Sequence, residues 1–253
     1  LEVAAAAAGF RTIVHPLPEP DEPDLLATIA LDRAVEPTDD RARLAGQIPH
    51  RRTYRKRFEA RDVPAEVASD LVDAAAREGA ALHIIGTDAQ RAEVVRLVRE
   101  GDALLWGNPS WRRELAQWMH PRRRGDGLIV PGLVLPVAQA VVRTFDMGHG
   151  VAAKDGELAE GSPLLAVLVS AGDTPRDWLA AGRALERCLL SACAHGLQAS
   201  YLNQPVQVPT LRSNLAERIA GTACPQALVR FGYPTEQIDA APRRAVEAVL
   251  ETG

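Results

Sequence analysis

Cysteine is sparse in this chain and falls in no metal-binding or disulfide pattern. Cys188, Cys193 and Cys224 form no C-x-x-C pair and leave an odd count. They read as small apolar residues of a reducing cytoplasm rather than as a disulfide framework or a zinc site, and no metal is expected. Long apolar runs are missing too. None reaches the roughly 20 residues that span a bilayer, because the stretch 128–142 is interrupted by Pro131, Gly132 and Pro136. With neither an anchor nor a signal peptide in view, the expectation is a cytoplasmic protein without a membrane partner. A surplus of one charge is also absent. The formal net charge of -4 argues against a nucleic-acid partner, while a local basic patch remains free to hold an anion. Finally, the chain opens at Leu1 rather than methionine and runs straight into Ala4 to Ala8 and Gly9. That is the pattern of a helix tail closed by a glycine, so the natural beginning is expected to lie upstream.

What is present is ordinary globular material: 253 residues, 47% hydrophobic and 25% charged, enough for one large domain or two small ones. The stretch 174–233 organises the rest. Thr174 is a helix N-cap candidate, Pro175 suits the first turn, and Asp177 completes a capping box. Trp178, Ala181, Gly182, Leu185, Leu189 and Ala192 recur at helical spacing, and Gly196 closes the helix. Gly182 on that apolar face suggests close approach of another backbone. Before it, 164–170 is a continuous apolar run, the signature of a strand buried on both faces. After it come strand material at 197–202, a helix at 210–220, a strand at 227–231 and a short helix at 245–250.

Upstream, strands are expected at 11–15 and 25–31 around an acidic, proline-rich loop, then a polar connection over 32–47. A helix over 65–76, a strand at 81–85 and a helix over 88–101 follow, the last with Val94, Val95, Leu97 and Val98 inward. Short helices are expected at 111–119 and 137–143. The stretch 145–161 reads as a mobile surface excursion. Strands alternating with helices predict a layered α+β or α/β fold.

Cations are clustered. Arg51-Arg52-Thr53-Tyr54-Arg55-Lys56-Arg57 lies just before a helix. Such a run is ordinarily a solvated face, yet guanidinium forks beside a threonine hydroxyl also make a phosphate cradle. The loop Arg122-Arg123-Arg124-Gly125-Asp126-Gly127 carries the same two readings. Arg243 and Arg244 stand at a helix N-terminus, where cations are unfavourable unless an anion is bound. Gln204, before Pro205, either bonds a neighbouring loop or meets a ligand. His149 lies between glycines with no triad partner nearby in sequence.

Three pieces taken in order, 51–55 before a helix, the Thr174 helix with Gly196 and Gln204, and Pro225-Gln226 through Arg243-Arg244, resemble the nitroreductase family of flavoproteins. The likeness is nearest to the branch with two fused halves. It implies an α+β fold with a central, mainly antiparallel sheet flanked by helices. Residues 1–46 would be the remnant of a first half, and 47–253 a second half with a lid-like excursion at 106–160. It further implies FMN as cofactor, with Arg51, Thr53 and Arg55 at the phosphate, ribityl or ring edge, Arg243 and Arg244 closing on the phosphate, and Asn203 and Gln204 near the reactive ring nitrogen. NAD(P)H would donate hydride to the flavin, and a nitroaromatic, quinone or similar small molecule would accept electrons. No catalytic side chain is expected, because the chemistry is the cofactor's. The family's Ala-Pro-Ser and Gln-Pro-Trp wall segment is missing from 47–253. Either an upstream portion supplies it, or the chain encloses FMN poorly; the expected assembly is a homodimer, or a pseudo-dimer with a missing N-terminal half. The alternatives are a flavin-holding protein whose lid prevents turnover, or a degenerate structural half.

Overall fold

A computed structural model describes residues 1–32, 39–121, 127–241 and 243–251, apart from the side chains of Asp39, Ile129 and His149. The basic loop 122–126, Pro242 and the His149 side chain thus lie outside the described residues.

The central sheet follows from one strand. All seven residues of β6 (Leu164–Ser170) are buried, and it pairs antiparallel on one side with β3 (Ala81–Ile84) and on the other with β8 (Cys224–Gly232). β7 (Gln198–Tyr201) completes the order β3-β6-β8-β7. The pleat sends alternate side chains to opposite faces. Leu164, Ala166 and Leu168, with Ala227, Val229 and Phe231, meet α3 (Ala65–Ala76) and α8 (Pro175–Ala194). Leu165, Val167, Val169 and Leu228 meet α4 (Asp88–Gly107) and α10 (Pro209–Leu215) on the other face. The apolar run at 164–170 is therefore explained by helices on both sides of an antiparallel sheet. The expected α+β architecture is present.

α8 begins as its capping box dictates: the Asp177 carboxylate accepts from the Thr174 backbone N–H at 2.9 Å, and Thr174 Oγ1 accepts from the Asp177 N–H at 3.4 Å. Its apolar face lies as expected at four positions: Ala181, Leu189 and Ala192 are buried against the sheet with Leu185 beside them, joined by Ala184 and Cys188. Two expected positions differ. Trp178 is 52% exposed and donates its indole N–H to Asp173 at 2.7 Å. Gly182 is exposed, and a Cβ there would meet nothing within 4 Å, so no backbone approaches it.

Five further expectations are corrected. Part of the polar connection is α2 (Asp39–Gln47), a helix anchored by buried Leu44 and by the Asp40–Arg187 ion pair; one apolar anchor leaves no periodic signal. The surface excursion contains α7 (Gly148–Glu160), packed along α4 through buried Ala152, Leu158 and Ala159. Its three glycines, Gly148, Gly150 and Gly156, hide it from propensity. α4 itself continues past Gly101 to Gly107. At the C-terminus only a 3₁₀ turn, Val246–Ala248, replaces the expected helix, and the helix at 210–220 is α10 followed by a π turn, Ala216–Ala220.

Outside the main sheet, α1 (Glu2–Ala7) leads into β1 (Arg11–Pro16), which pairs antiparallel with β2 (Ala27–Asp32) in a separate two-stranded ribbon. α5 (Pro109–Gln117), β4 (Met119–His120), β5 (Leu128–Ile129) and α6 (Leu135–Thr144) carry a small core of their own around Trp106, Ala116, Met119 and Val142. Among the described residues no helix is long and apolar enough to cross a membrane.

Because Leu165 is fully buried at the centre of the α4 face, Leu165→Ala should cost about 2–5 kcal/mol of stability. Urea denaturation followed by circular dichroism measures this directly.

Candidate functional site

The segment 51–58 is shaped by pairing, although it has no regular secondary structure. Thr53 bridges Ala199 in parallel, the Tyr54 N–H donates to the Ala199 carbonyl at 2.8 Å, and Phe58 bridges Pro234. Tyr54 is fully buried, stacks on Phe58 at 5.4 Å between centroids, and bonds Thr235 through its hydroxyl at 2.7 Å. Alternation along this segment then leaves Thr53 and Arg55 on the side away from Tyr54.

Those two side chains line a cavity of about 300 Å³. Ser200, Tyr201 and Leu202, where β7 runs out, form a second wall. α7 contributes Lys154 and Asp155, and β8 contributes Arg230. Among the described residues neither Arg55 nor Lys154 makes a hydrogen bond or ion pair. A second cavity of about 290 Å³ near the chain start also holds arginines, but Arg183 is paired with Glu2 and Glu78, and Arg187 with Glu78 and Asp40. Those two cations are already neutralised. At the Thr53 cavity Arg55 and Lys154 remain available to an anion.

Arg230 is the deepest of these charges, 1% exposed. The pleat that buries Leu228 against α4 puts Arg230 on the same face, toward α7. Its Nη2 donates to the Tyr54 and Lys56 carbonyls at 2.9 and 3.0 Å, and its guanidinium lies 4.7 Å from the Phe58 ring centroid. Nε has no partner among the described residues. Burial pushes the Arg230 pKa down to about 10, against the opposing pull of Asp155 and Tyr54.

Behind the cavity sits a carboxyl pair. α9 (Gln204–Gln207) starts at the crossover after β7, and Gln204 Nε2 donates both to Asp155 at 2.7 Å and to Asp102 of α4 at 3.1 Å. Gly101 makes this approach possible, since a Cβ there would lie 2.8 Å from Gln204 Cβ and 2.9 Å from its carbonyl carbon. Asp102 is 2% exposed, and burial followed by the neighbouring Asp155 charge pushes its pKa up to about 7. Burial raises Asp155 as well, opposed first by the Gln204 bond and then by Arg230 and Lys154.

The residues expected at a ligand separate into groups. Thr53 and Arg55 come together at the cavity. Arg51 does not line it, and its Nε lies 3.4 Å from Glu186 of α8. Asn203 accepts the Leu228 N–H at 2.9 Å and so pins the crossover to β8. Gln204 braces the carboxyl pair. Arg243 and Arg244 are exposed and do not line the cavity, and Arg243 donates to the Ala241 carbonyl at 3.1 Å. Lys154, Asp155, Asp102 and Arg230 escaped sequence reasoning. Arg230 alone carried a signal, as a cation inside the otherwise apolar run 227–231.

The sheet and its flanking helices define a nitroreductase-like fold. The FMN-dependent nitroreductase NfnB from Mycobacterium smegmatis, solved in complex with NADPH, superposes with a TM-score of 0.56 at 16% identity, covering 84% of this chain and 99% of that one. In sequence, the Mycobacterium tuberculosis protein named "Putative NAD(P)H nitroreductase acg" is 30% identical over 254 residues, covering 98% of this chain and 76% of that protein. A second from the same organism, "Putative NAD(P)H nitroreductase Rv3131", is 28% identical over 260 residues, covering 98% and 73%. The chain belongs to the nitroreductase family. No family model matches it.

Two outcomes test the buried cluster. Gly101→Ala should destabilise the fold by about 1–3 kcal/mol through overpacking against Gln204. The pKa of Asp102 is raised from 3.8 to about 7, so the native state binds more protons than the unfolded chain between those values. Stability should therefore fall as pH rises through that window. Thermal melts at pH 5 and pH 8 should reveal the fall, each kcal/mol appearing as roughly 2–4 °C in a chain of this size, and Asp102→Asn should flatten it.

Proposed function

We propose that this chain is an FMN-dependent oxidoreductase that takes hydride from NAD(P)H and delivers electrons to a nitroaromatic, a quinone or a similar small acceptor. The observation that carries this reading is the cavity in which Thr53, Arg55, Lys154 and Arg230 converge with two cations unpaired among the described residues. A dianionic phosphate needs several fixed donors, and this set supplies a hydroxyl, an ammonium and guanidinium groups, so the residues present fit the group. The FMN-dependent fold neighbour supports the same cofactor, and the names of the relatives support NAD(P)H as donor.

Within this reading Thr53 and Arg55 bind the phosphate, Lys154 adds charge from α7, and Arg230 holds the 51–58 segment in place while lending its field. Tyr201 and Leu202 give the cavity its less polar wall. Asn203 and Gln204 set the position of the crossover. Arg51, Arg243 and Arg244 enter as phosphate partners on the family resemblance alone. When bound, FMN supplies the hydride-accepting ring and the electron transfer itself.

The same reading takes 47–253 as a nitroreductase-like half and 1–46 as part of a preceding one, with a second chain or half supplying the remaining flavin wall. The ribbon β1–β2 pairs with itself and not with the main sheet, which agrees with that division. Of the lid-like excursion at 106–160, α7 lines the cavity through Lys154, Asp155 and Leu158, while the described residues of 106–145 do not.

The test is spectroscopic. Purified protein loaded with FMN should show protein-bound flavin absorbance that bleaches anaerobically with NADH or NADPH. Arg55→Ala should weaken FMN binding roughly tenfold, the equivalent of one modest charge-assisted contact at about 1.4 kcal/mol per factor of ten. A protein that takes up no FMN would end this reading, and bound flavin that never bleaches would turn it toward storage.

A further inference from the structure

We infer that the Thr53–Arg230 cavity binds its phosphate together with a proton, held by the Asp102–Asp155 carboxyl pair behind the cations. The inference rests on the flavin reading and adds to it a residue pair and a direction of pH control.

The geometry is specific. Asp155 lines the cavity alongside Arg230 and Lys154. Asp102 does not, yet both carboxylates accept from the same nitrogen, Gln204 Nε2. One amide nitrogen thus draws two carboxylates together in a buried place, where two negative charges at close range oppose each other's ionisation. Asp102 Oδ2 and Gln204 Oε1 have no partners among the described residues. A carboxyl proton on the pair therefore has an acceptor-rich setting. Beside this pair, Arg230 is 1% exposed with its Nε unpartnered, a buried donor at the wall of a cavity that faces an anion.

Charge then couples the two halves of the site. With the pair fully ionised, Asp155 presents a negative charge to any phosphate in the cavity and competes with it for the field of Arg230. With one proton on the pair, that repulsion is reduced and the cations act on the ligand. A phosphate dianion entering the cavity raises the proton affinity of the pair, and by linkage a protonated pair raises the affinity for phosphate.

The groups that face Asp155 are few. Among the described residues they are Lys154 on its own helix, Asp102 from α4, Gln204 from α9, Arg230 from β8, Arg55 from the 51–58 segment and Tyr201 from β7, with Tyr54 beyond Arg230. The ion pairs Arg57–Glu157 and Arg99–Glu160 join α7 to its neighbours as balanced charges. Asp102 meets Asp155 and Gln204. Burial raises Tyr201 above its ordinary value of 10, and no histidine lines the cavity among the described residues. The carboxyl pair, raised by burial with Asp102 pushed up to about 7, is the group whose proton the linkage invokes from pH 7 upward. A phosphate monoester loses its second proton near pH 6, so the ligand's own titration would strengthen binding as pH rises. The proposed linkage has the opposite sign.

The experiment measures FMN affinity by fluorescence quenching at pH 7, 7.5, 8 and 8.5, with riboflavin as the analogue that lacks phosphate. Inorganic phosphate is measured by calorimetry as a second probe. FMN affinity should fall with rising pH by more than roughly threefold across the range, below the limit of about tenfold per pH unit for one linked proton. Riboflavin should show no such slope. In Asp155→Asn the slope should vanish and the affinity at pH 8.5 should rise above that of the wild type. Asn keeps an oxygen to accept from Gln204, and circular dichroism checks that the variant is folded. Asp102→Asn should flatten the slope in the same way. Calorimetry of FMN binding at pH 7.5 in buffers of different ionisation enthalpy should register proton uptake in the wild type and none in Asp155→Asn. FMN that binds with flat or rising affinity, or with an unchanged slope in both variants, overturns the proton linkage and leaves the flavin reading standing. Failure to bind FMN and inorganic phosphate at every pH overturns both.

Discussion

The buried guanidinium of Arg230 is the constraint on which the site depends. A charge taken out of water is costly unless it is bonded, and here the bonds go to the Tyr54 and Lys56 carbonyls. That requirement pins the 51–58 segment against the sheet, and the pinned segment presents Thr53 and Arg55 to the cavity. Phe58 and Tyr54 stack beneath it. A strand residue thus determines where a distant loop offers its cations.

The sheet makes this possible because both of its faces are covered. On one, α3 and α8 pack against Leu164, Ala166 and Leu168; on the other, α4 and α10 close over Leu165, Val167 and Val169. The second face is where polarity enters. At the end of β8 the apolar inward residue Leu228 gives way to Arg230, and across from it α4 and α7 bring Asp102 and Asp155. Gln204 joins these carboxyls at the crossover, and Gly101 lets α4 come close enough for that bond. The site is a polar seam at the margin of a dry core, and its charges keep unusual proton affinities because water is excluded there.

Availability of charge, more than its density, separates the two arginine-lined cavities. Near the chain start Arg183 and Arg187 already face carboxylates, a structural network linking α1, α2 and α8. At the Thr53 cavity the nearest carboxyl is Asp155, itself engaged by Gln204 and disfavoured as an anion by burial. The cations there are left with a field to spend on a ligand.

Much of the scaffold was legible in the chain. The run 164–170 announced a strand covered on both sides, Thr174 and Asp177 announced the start of α8, and Thr53 and Arg55 were singled out as a phosphate cradle by residue type and place before a helix. Local chemistry suffices for these, since capping, periodicity and apolar continuity act over a few residues. The helices α2 and α7 were hidden, one by having a single buried anchor and the other by its glycines, because packing against α8 and α4 overrides weak propensity. Lys154, Asp155, Asp102 and Arg230 lie on three separate elements, and nothing in their sequence neighbourhoods links them. Only the tertiary structure brought them to one place, since pleat direction and helix packing, which join residues far apart in the chain, decide which side chains meet at the cavity.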